Sequence, residues 1–163
     1  MSNATATAPK TDETFTGDYE IKGINNFKGH EGEPCAQGSI YCKGKKIGYF
    51  SQSPCGGEDQ IEFTNKADEN AFNNLIKSLP AVPFMGIDLD VSAGMFIGRM
   101  VDKYDTIQQE KKWCRKETLF TTPKTPKGEY QTIKHPYCQK VVEYIMKKYP
   151  DATIINAKYQ TIK

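Results

Sequence analysis

The 163 residues carry 22 Lys and Arg against 20 Asp and Glu, a net charge of +2, and 37% of them are hydrophobic. That length suits one compact domain, or two small ones, able to fold without disulfide or metal cross-links. No apolar run approaches the ~20 residues of a membrane span, and the near-neutral balance argues against a dedicated duplex-DNA binder, whose footprint is a strongly basic domain.

Residues 1–16 are small, polar and Thr/Ala-rich, and predict a disordered tail. A first subdomain follows over residues 17–80. Tyr19, Ile21 and Ile24 begin an apolar pattern, and a Gly-containing loop leads to Ser39-Ile40-Tyr41-Cys42 and Ile47-Gly48-Tyr49-Phe50. Gly44 between these runs marks a β-hairpin. A second reversal at Pro54-Cys55-Gly56-Gly57 leads to the alternating strand Gln60-Ile61-Glu62-Phe63. A helix should then start at Thr64 or Asn65 and stop at Pro80, with Ala71, Phe72, Leu75, Ile76 and Leu79 on its inner face.

Residues 81–163 form the second subdomain, with a core of its own or one shared with the first. Val82 to Leu89 reads as an extended connection, and Asp90 as the N-cap of a helix from about Val91 to Trp113. The apolar stripe of that helix is Ala93, Ile97, Met100, Val101, Tyr104 and Ile107. A ββαβ unit closes the chain: strands around Thr118–Thr121 and Tyr130–Ile133, a helix opened by Pro136 and closed by Pro150, and a short strand at Thr153-Ile154-Ile155. Tyr137, Val141, Val142, Ile145, Met146 and Tyr149 mark the inner face of that last helix. The fold class is therefore α+β, an N-terminal antiparallel sheet with a packed helix followed by a helix and a ββαβ unit.

Charge separates along the chain: residues 1–82 sum to −3 and residues 83–163 to +5. The densest stretch holds Lys111, Lys112, Arg115, Lys116, Lys124, Lys127 and Lys134 against only Glu117 and Glu129, with Trp113, Phe120 and Tyr130 interleaved. Cations that track phosphates beside aromatics that stack on bases make a single-strand recipe. The same residues equally suit an acidic protein partner, or a plain solvated surface. Trp113, Tyr130 and Tyr137 are the expected anchors of such a surface if exposed.

The remaining constellations point to no chemistry. Cys35, Cys42 and Cys55 stand seven and thirteen positions apart with no Cys-x-x-Cys, so small buried thiols are a better reading than a zinc site with His30, Glu31 and Glu33. A Cys55 nucleophile served by His30 needs a meeting that sequence does not reveal. Cys55-Gly56-Gly57 precedes Glu58 and Asp59, which would repel a phosphate, so a turn is favoured over an anion cradle. Asp88 and Asp90 with Glu110-Lys111-Lys112 have nuclease-like spacing, but the tripeptide falls on a helix end. His135 before Pro136 reads as a residue leading into a helix. No catalytic residue, metal ligand or cofactor is expected. The N-terminus has no basic region followed by an apolar stretch, which suggests a cytoplasmic protein with reduced thiols and no membrane partner.

Two stretches carry a family likeness. Lys22-Gly23-Ile24-Asn25-Asn26-Phe27-Lys28-Gly29-His30-Glu31-Gly32 runs into the Gly38–Phe50 hairpin and Gly56-Gly57, and Cys114-Arg115-Lys116-Glu117-Thr118-Leu119-Phe120 runs into Tyr130 and the last helix. Together they resemble small uncharacterised proteins of tailed bacteriophages and prophages. The resemblance implies an origin in a phage, acting in the host cytoplasm, and carries no site residues across. It makes a host or phage protein the expected partner. The expected function is a non-enzymatic binding protein, a phage inhibitor or modulator of a host defence protein. A single-stranded nucleic-acid-binding accessory protein is the alternative.

Overall fold

The computed structural model describes residues 3–7 and 16–162. It has mixed α+β architecture and divides into two compact units, residues 12–104 and residues 1–11 with 105–163. The sequence reading puts the join near residues 80–92; the division instead falls inside a helix, between Tyr104 and Asp105. Charge follows this division more sharply than it follows the midpoint of the chain. Residues 12–104 hold 9 basic and 14 acidic side chains, net −5; the other unit holds 13 and 6, net +7.

The acidic unit is built on a four-stranded antiparallel sheet of β2 (Tyr19–Lys28), β3 (Pro34–Cys42), β4 (Lys45–Ser51) and β5 (Gln60–Phe63), in that order, where β1 is Asn3–Thr7 of the other unit. The β3–β4 reversal takes just Lys43 and Gly44, both at positive φ (50° and 78°), which matches the right-handed twist of the flanking strands. α1 (Lys66–Ser78) opens on Asn65, whose side chain accepts a hydrogen bond from the Asp68 amide at 2.9 Å, and ends before Pro80. Of its predicted inner face Phe72 and Ile76 are buried and Leu75 and Leu79 partly so, while Ala71 faces solvent. Phe72 is the hub of the core, edge-on to Phe96 at 5.3 Å and to Tyr19 at 5.5 Å, geometries that aromatic quadrupoles favour.

Between α1 and the next helix the chain makes a two-stranded hairpin, β6 (Val82–Phe84) and β7 (Ile87–Leu89), in place of the expected extended connection. α2 (Ala93–Cys114) then begins two residues later than predicted. Its cap is Ser92 rather than Asp90: the Ser92 hydroxyl accepts from the Met95 amide at 3.1 Å and its carbonyl from Phe96 at 3.0 Å. Buried Val91 anchors the chain first, which leaves Asp90 outside in solvent. Ile97 and Met100 are buried as expected, and Phe96, absent from the predicted stripe, is fully enclosed.

The basic unit has its own four-stranded sheet, ordered β1–β9–β8–β10, with β8 (Thr118–Thr121), β9 (Glu129–Ile133) and β10 (Thr153–Ile154). The predicted disordered tail of residues 1–16 is corrected over residues 3–7: β1 pairs antiparallel with β9, Asn3 opposite Ile133 and Thr7 opposite Glu129. An edge strand is held by backbone hydrogen bonds, for which side-chain polarity is no obstacle. The rest of that prediction, residues 1, 2 and 8–15, lies outside the described residues, while Thr16 is buried. α3 (Gln139–Lys148) starts three residues after Pro136, since Cys138 is extended (φ −153°) and its carbonyl accepts from the amides of Val141 and Val142, both at 3.1 Å. Val141 and Ile145 are enclosed with Phe120 and Ile133, and Met146 is exposed.

Candidate docking surface

The seven cations of the 111–134 segment are all exposed, and among the described residues none lies within ion-pair distance of a carboxylate. They do not form one stripe. Lys111 and Lys112 occupy the last turn of α2, and Arg115 and Lys116 follow it directly. β9 returns antiparallel to β8 with Ile133 opposite Thr118, so Lys134 comes back to this same end. Lys124 and Lys127 sit on the turn at the far end of the four-residue strand β8, about 13 Å away at ~3.3 Å per residue. Five cations therefore gather round the C-terminus of α2, where they also complement its dipole, and two stand apart.

The interleaved aromatics turn inward. Tyr130 is buried and its hydroxyl donates to the Glu110 carboxylate, so it offers no face to a partner. Trp113 is half-buried, packed edge-on to Tyr130 with ring centres 6.3 Å apart. Tyr137 is half-buried and Phe120 is enclosed. Tyr130 is thus corrected from a binding residue to a core residue, because a ring next to a buried hydrogen-bonding carboxylate gains more inside than in water. Glu110, noted above for the nuclease-like spacing of Glu110-Lys111-Lys112, accepts from the hydroxyls of both Tyr130 and Tyr159. Burial and this carboxylate together push the Cys114 thiol, one turn on, up to about 11.

A residue that sequence reading overlooked holds the cationic end together. Asn156, fully buried, begins a short 3-10 turn (Asn156–Lys158). Its Nδ2 donates to the carbonyls of Cys114 (3.1 Å) and Glu117 (2.9 Å), and its Oδ1 accepts from the Leu119 amide (2.7 Å). Gln160 adds a second donor to the Cys114 carbonyl at 2.8 Å. The orphan carbonyl of Cys114, the last residue of α2, is satisfied in this way, and the loop bearing Arg115 and Lys116 is fixed between α2 and β8.

The thiol and imidazole constellation comes together in part. His30, Glu31, Glu33, Cys55 and Gly56 line a cavity of about 280 Å³, and the His30 amide donates to the Pro54 carbonyl at 2.7 Å. Cys35 is buried with its sulfur 3.8 Å from the Ser53 carbonyl, and Cys42 is half-buried. Among the described residues no three His, Cys, Asp or Glu are placed to hold a metal. The Gly56-Gly57 loop and the start of α2 share a larger cavity of about 670 Å³, which Glu58 and Asp59 also line. A helix N-terminus does meet this glycine loop, then, although the loop itself leads to a strand.

The most distinctive surface feature lies elsewhere, on the β6–β7 hairpin. Met85 and Gly86 form its two-residue turn, both at positive φ (48° and 84°). Val82 pairs with Leu89 and Phe84 with Ile87, so the period-two alternation puts these four on one face and the Pro83–Asp88 pair on the other. Val82 and Leu89 are half-buried, with Val82 packed on the core of its unit. The outer half of the apolar face is bare: Phe84 is 55% exposed, Ile87 60% and Met85 90%. Single exposed apolar residues are common, but here three large ones stand within four positions on a short hairpin.

No helix of the described residues is long and apolar enough to cross a membrane. No protein-family model, curated protein or solved structure matches the chain.

Proposed function

We propose that this is a non-enzymatic binding protein that docks on another protein through the tip of the β6–β7 hairpin. The carrying observation is the exposure of Phe84, Met85 and Ile87 beside the half-buried base of the same face. Fully burying a side chain of this size returns about 1.5–3 kcal/mol; Met85, 90% exposed, has most of that to gain on a partner and Phe84 and Ile87, 55% and 60% exposed, roughly half, enough for a few anchors to dominate an interface. The five exposed cations around the end of α2 belong to the other unit and affect mainly the rate of approach. The resemblance to small phage proteins makes a host protein the partner of choice. Single-stranded nucleic acid is the weaker reading, since Tyr130 is buried and Trp113 is half-buried against it.

The test compares affinity capture by the wild-type chain, by Phe84→Ser/Met85→Ser/Ile87→Ser, and by Lys111→Glu/Lys112→Glu/Arg115→Glu/Lys116→Glu. Loss of a partner with the hairpin variant is expected; equal recovery by all three proteins refutes the reading. In parallel, a labelled single-stranded oligonucleotide should show no anisotropy change at low salt. Binding with a steep salt dependence would instead favour the nucleic-acid alternative.

A further inference from the structure

We infer that the hairpin is an insertion finger for one kind of site, an apolar cleft on a protein with Lys or Arg at its rim; this rests on the docking reading above and adds the chemistry of the partner. Neither edge of the hairpin suits strand addition. Each strand has three residues, and β6 contains Pro83, which lacks a backbone donor. What the hairpin presents is its tip, held by a two-residue turn that fixes Met85 at the apex between Phe84 and Ile87. A preorganised tip of this kind loses little freedom on insertion.

Charge selects the rim. From Ser78 to Gly98 the only charged residues are Asp88 and Asp90, both exposed, on β7 and just after it. They belong to the unit with net charge −5. A cleft that admits the apolar tip therefore brings its border against two carboxylates with no cation between them, which a cationic border matches and an acidic one repels. The same two residues argue against other occupants. Loops that enter bilayers are anchored by Trp, Tyr, Lys or Arg at the interface, and this hairpin has none. A symmetric pairing of two hairpins through β7 would set Asp88 against its own copy, an unfavourable like-charge contact.

The experiment uses the full chain with a photo-crosslinking benzoylphenylalanine at position 85, irradiated in cells, with the crosslinked residue of the partner located by mass spectrometry. That partner is then purified and titrated with unmodified chain. The expected crosslink lies in an apolar cleft bordered by Lys or Arg. Phe84→Ala should weaken binding roughly 30-fold, as for a central anchor. Asp88→Asn/Asp90→Asn should weaken it about five- to tenfold at low salt and flatten its salt dependence. If Phe84→Ala weakens binding but the Asp variant leaves affinity and salt dependence unchanged, docking stands and the cationic rim is overturned. If neither variant alters binding, both readings fall. Crosslinks only to a second copy, flotation of the chain with phosphatidylcholine vesicles, or no protein crosslink at all each overturn the inference.

Discussion

Replacing Asn156 by Ala removes three hydrogen bonds at once while leaving their partners in place. The carbonyls of Cys114 and Glu117 and the amide of Leu119 lose their side-chain contacts, at 3.1, 2.9 and 2.7 Å, around a fully buried site. A buried polar group left without a partner costs about 1–3 kcal/mol. Gln160 still reaches the Cys114 carbonyl, and water entering the vacated volume recovers part of the remainder, so about 3 kcal/mol is expected for Asn156→Ala. Asn156→Asp keeps the acceptor for Leu119 but points a carboxylate oxygen at two carbonyls. It should cost at least as much at neutral pH. Urea unfolding monitored by Trp113, the single tryptophan and a half-buried member of the adjoining cluster, reports this unit directly. A loss below 1 kcal/mol for Asn156→Ala would show that the clamp is dispensable and that other contacts hold the end of α2.

Other substitutions separate core from surface. Phe72→Ala, which empties the centre of an aromatic cluster, should cost about 3–5 kcal/mol, whereas Phe84→Ser should change stability by less than about 0.5 kcal/mol, since its ring is already 55% exposed; equal losses in thermal denaturation would contradict the assigned burial. Iodoacetamide at pH 8 should label Cys55 in the native protein and reach Cys35 and Cys114 only after unfolding, read by peptide mass spectrometry. The Cys114 thiol, raised from 9.0 to about 11, keeps its proton while the unfolded chain releases its own. Its contribution to stability is therefore complete below pH 9 and declines between pH 9 and about 11, by at most about 1.4 kcal/mol per pH unit. Cys114→Val should flatten that part of the urea-midpoint profile, and an unchanged slope would refute the assignment.

Local signals determined most of the acidic unit. Gly44 between two β-rich runs specified the β3–β4 turn, and Asn65, Phe72, Ile76 and Pro80 specified α1 with its cap, inner face and end. These are short-range matters of backbone sterics, capping and periodicity, and residues close in sequence suffice to settle them. Where signals were local but unusual, the reading missed. The β6–β7 turn places Met85, a poor choice for positive φ, where Asn or Gly is the familiar cue, so its alternating flanks passed for a connection. The cations of residues 111–134 are plain in the sequence, but their separation into a group of five and a pair follows from the antiparallel return of β9 along β8. Whether Tyr130 faces a partner or a buried carboxylate depends on Glu110, twenty residues earlier, and whether Asn156 is a surface polar residue or a clamp depends on backbone groups about forty residues away. Solvation of a polar side chain is decided by what the fold brings against it. For that reason the tertiary structure alone could move Tyr130 inward, put β1 on the edge of β9, and leave Phe84, Met85 and Ile87 facing water.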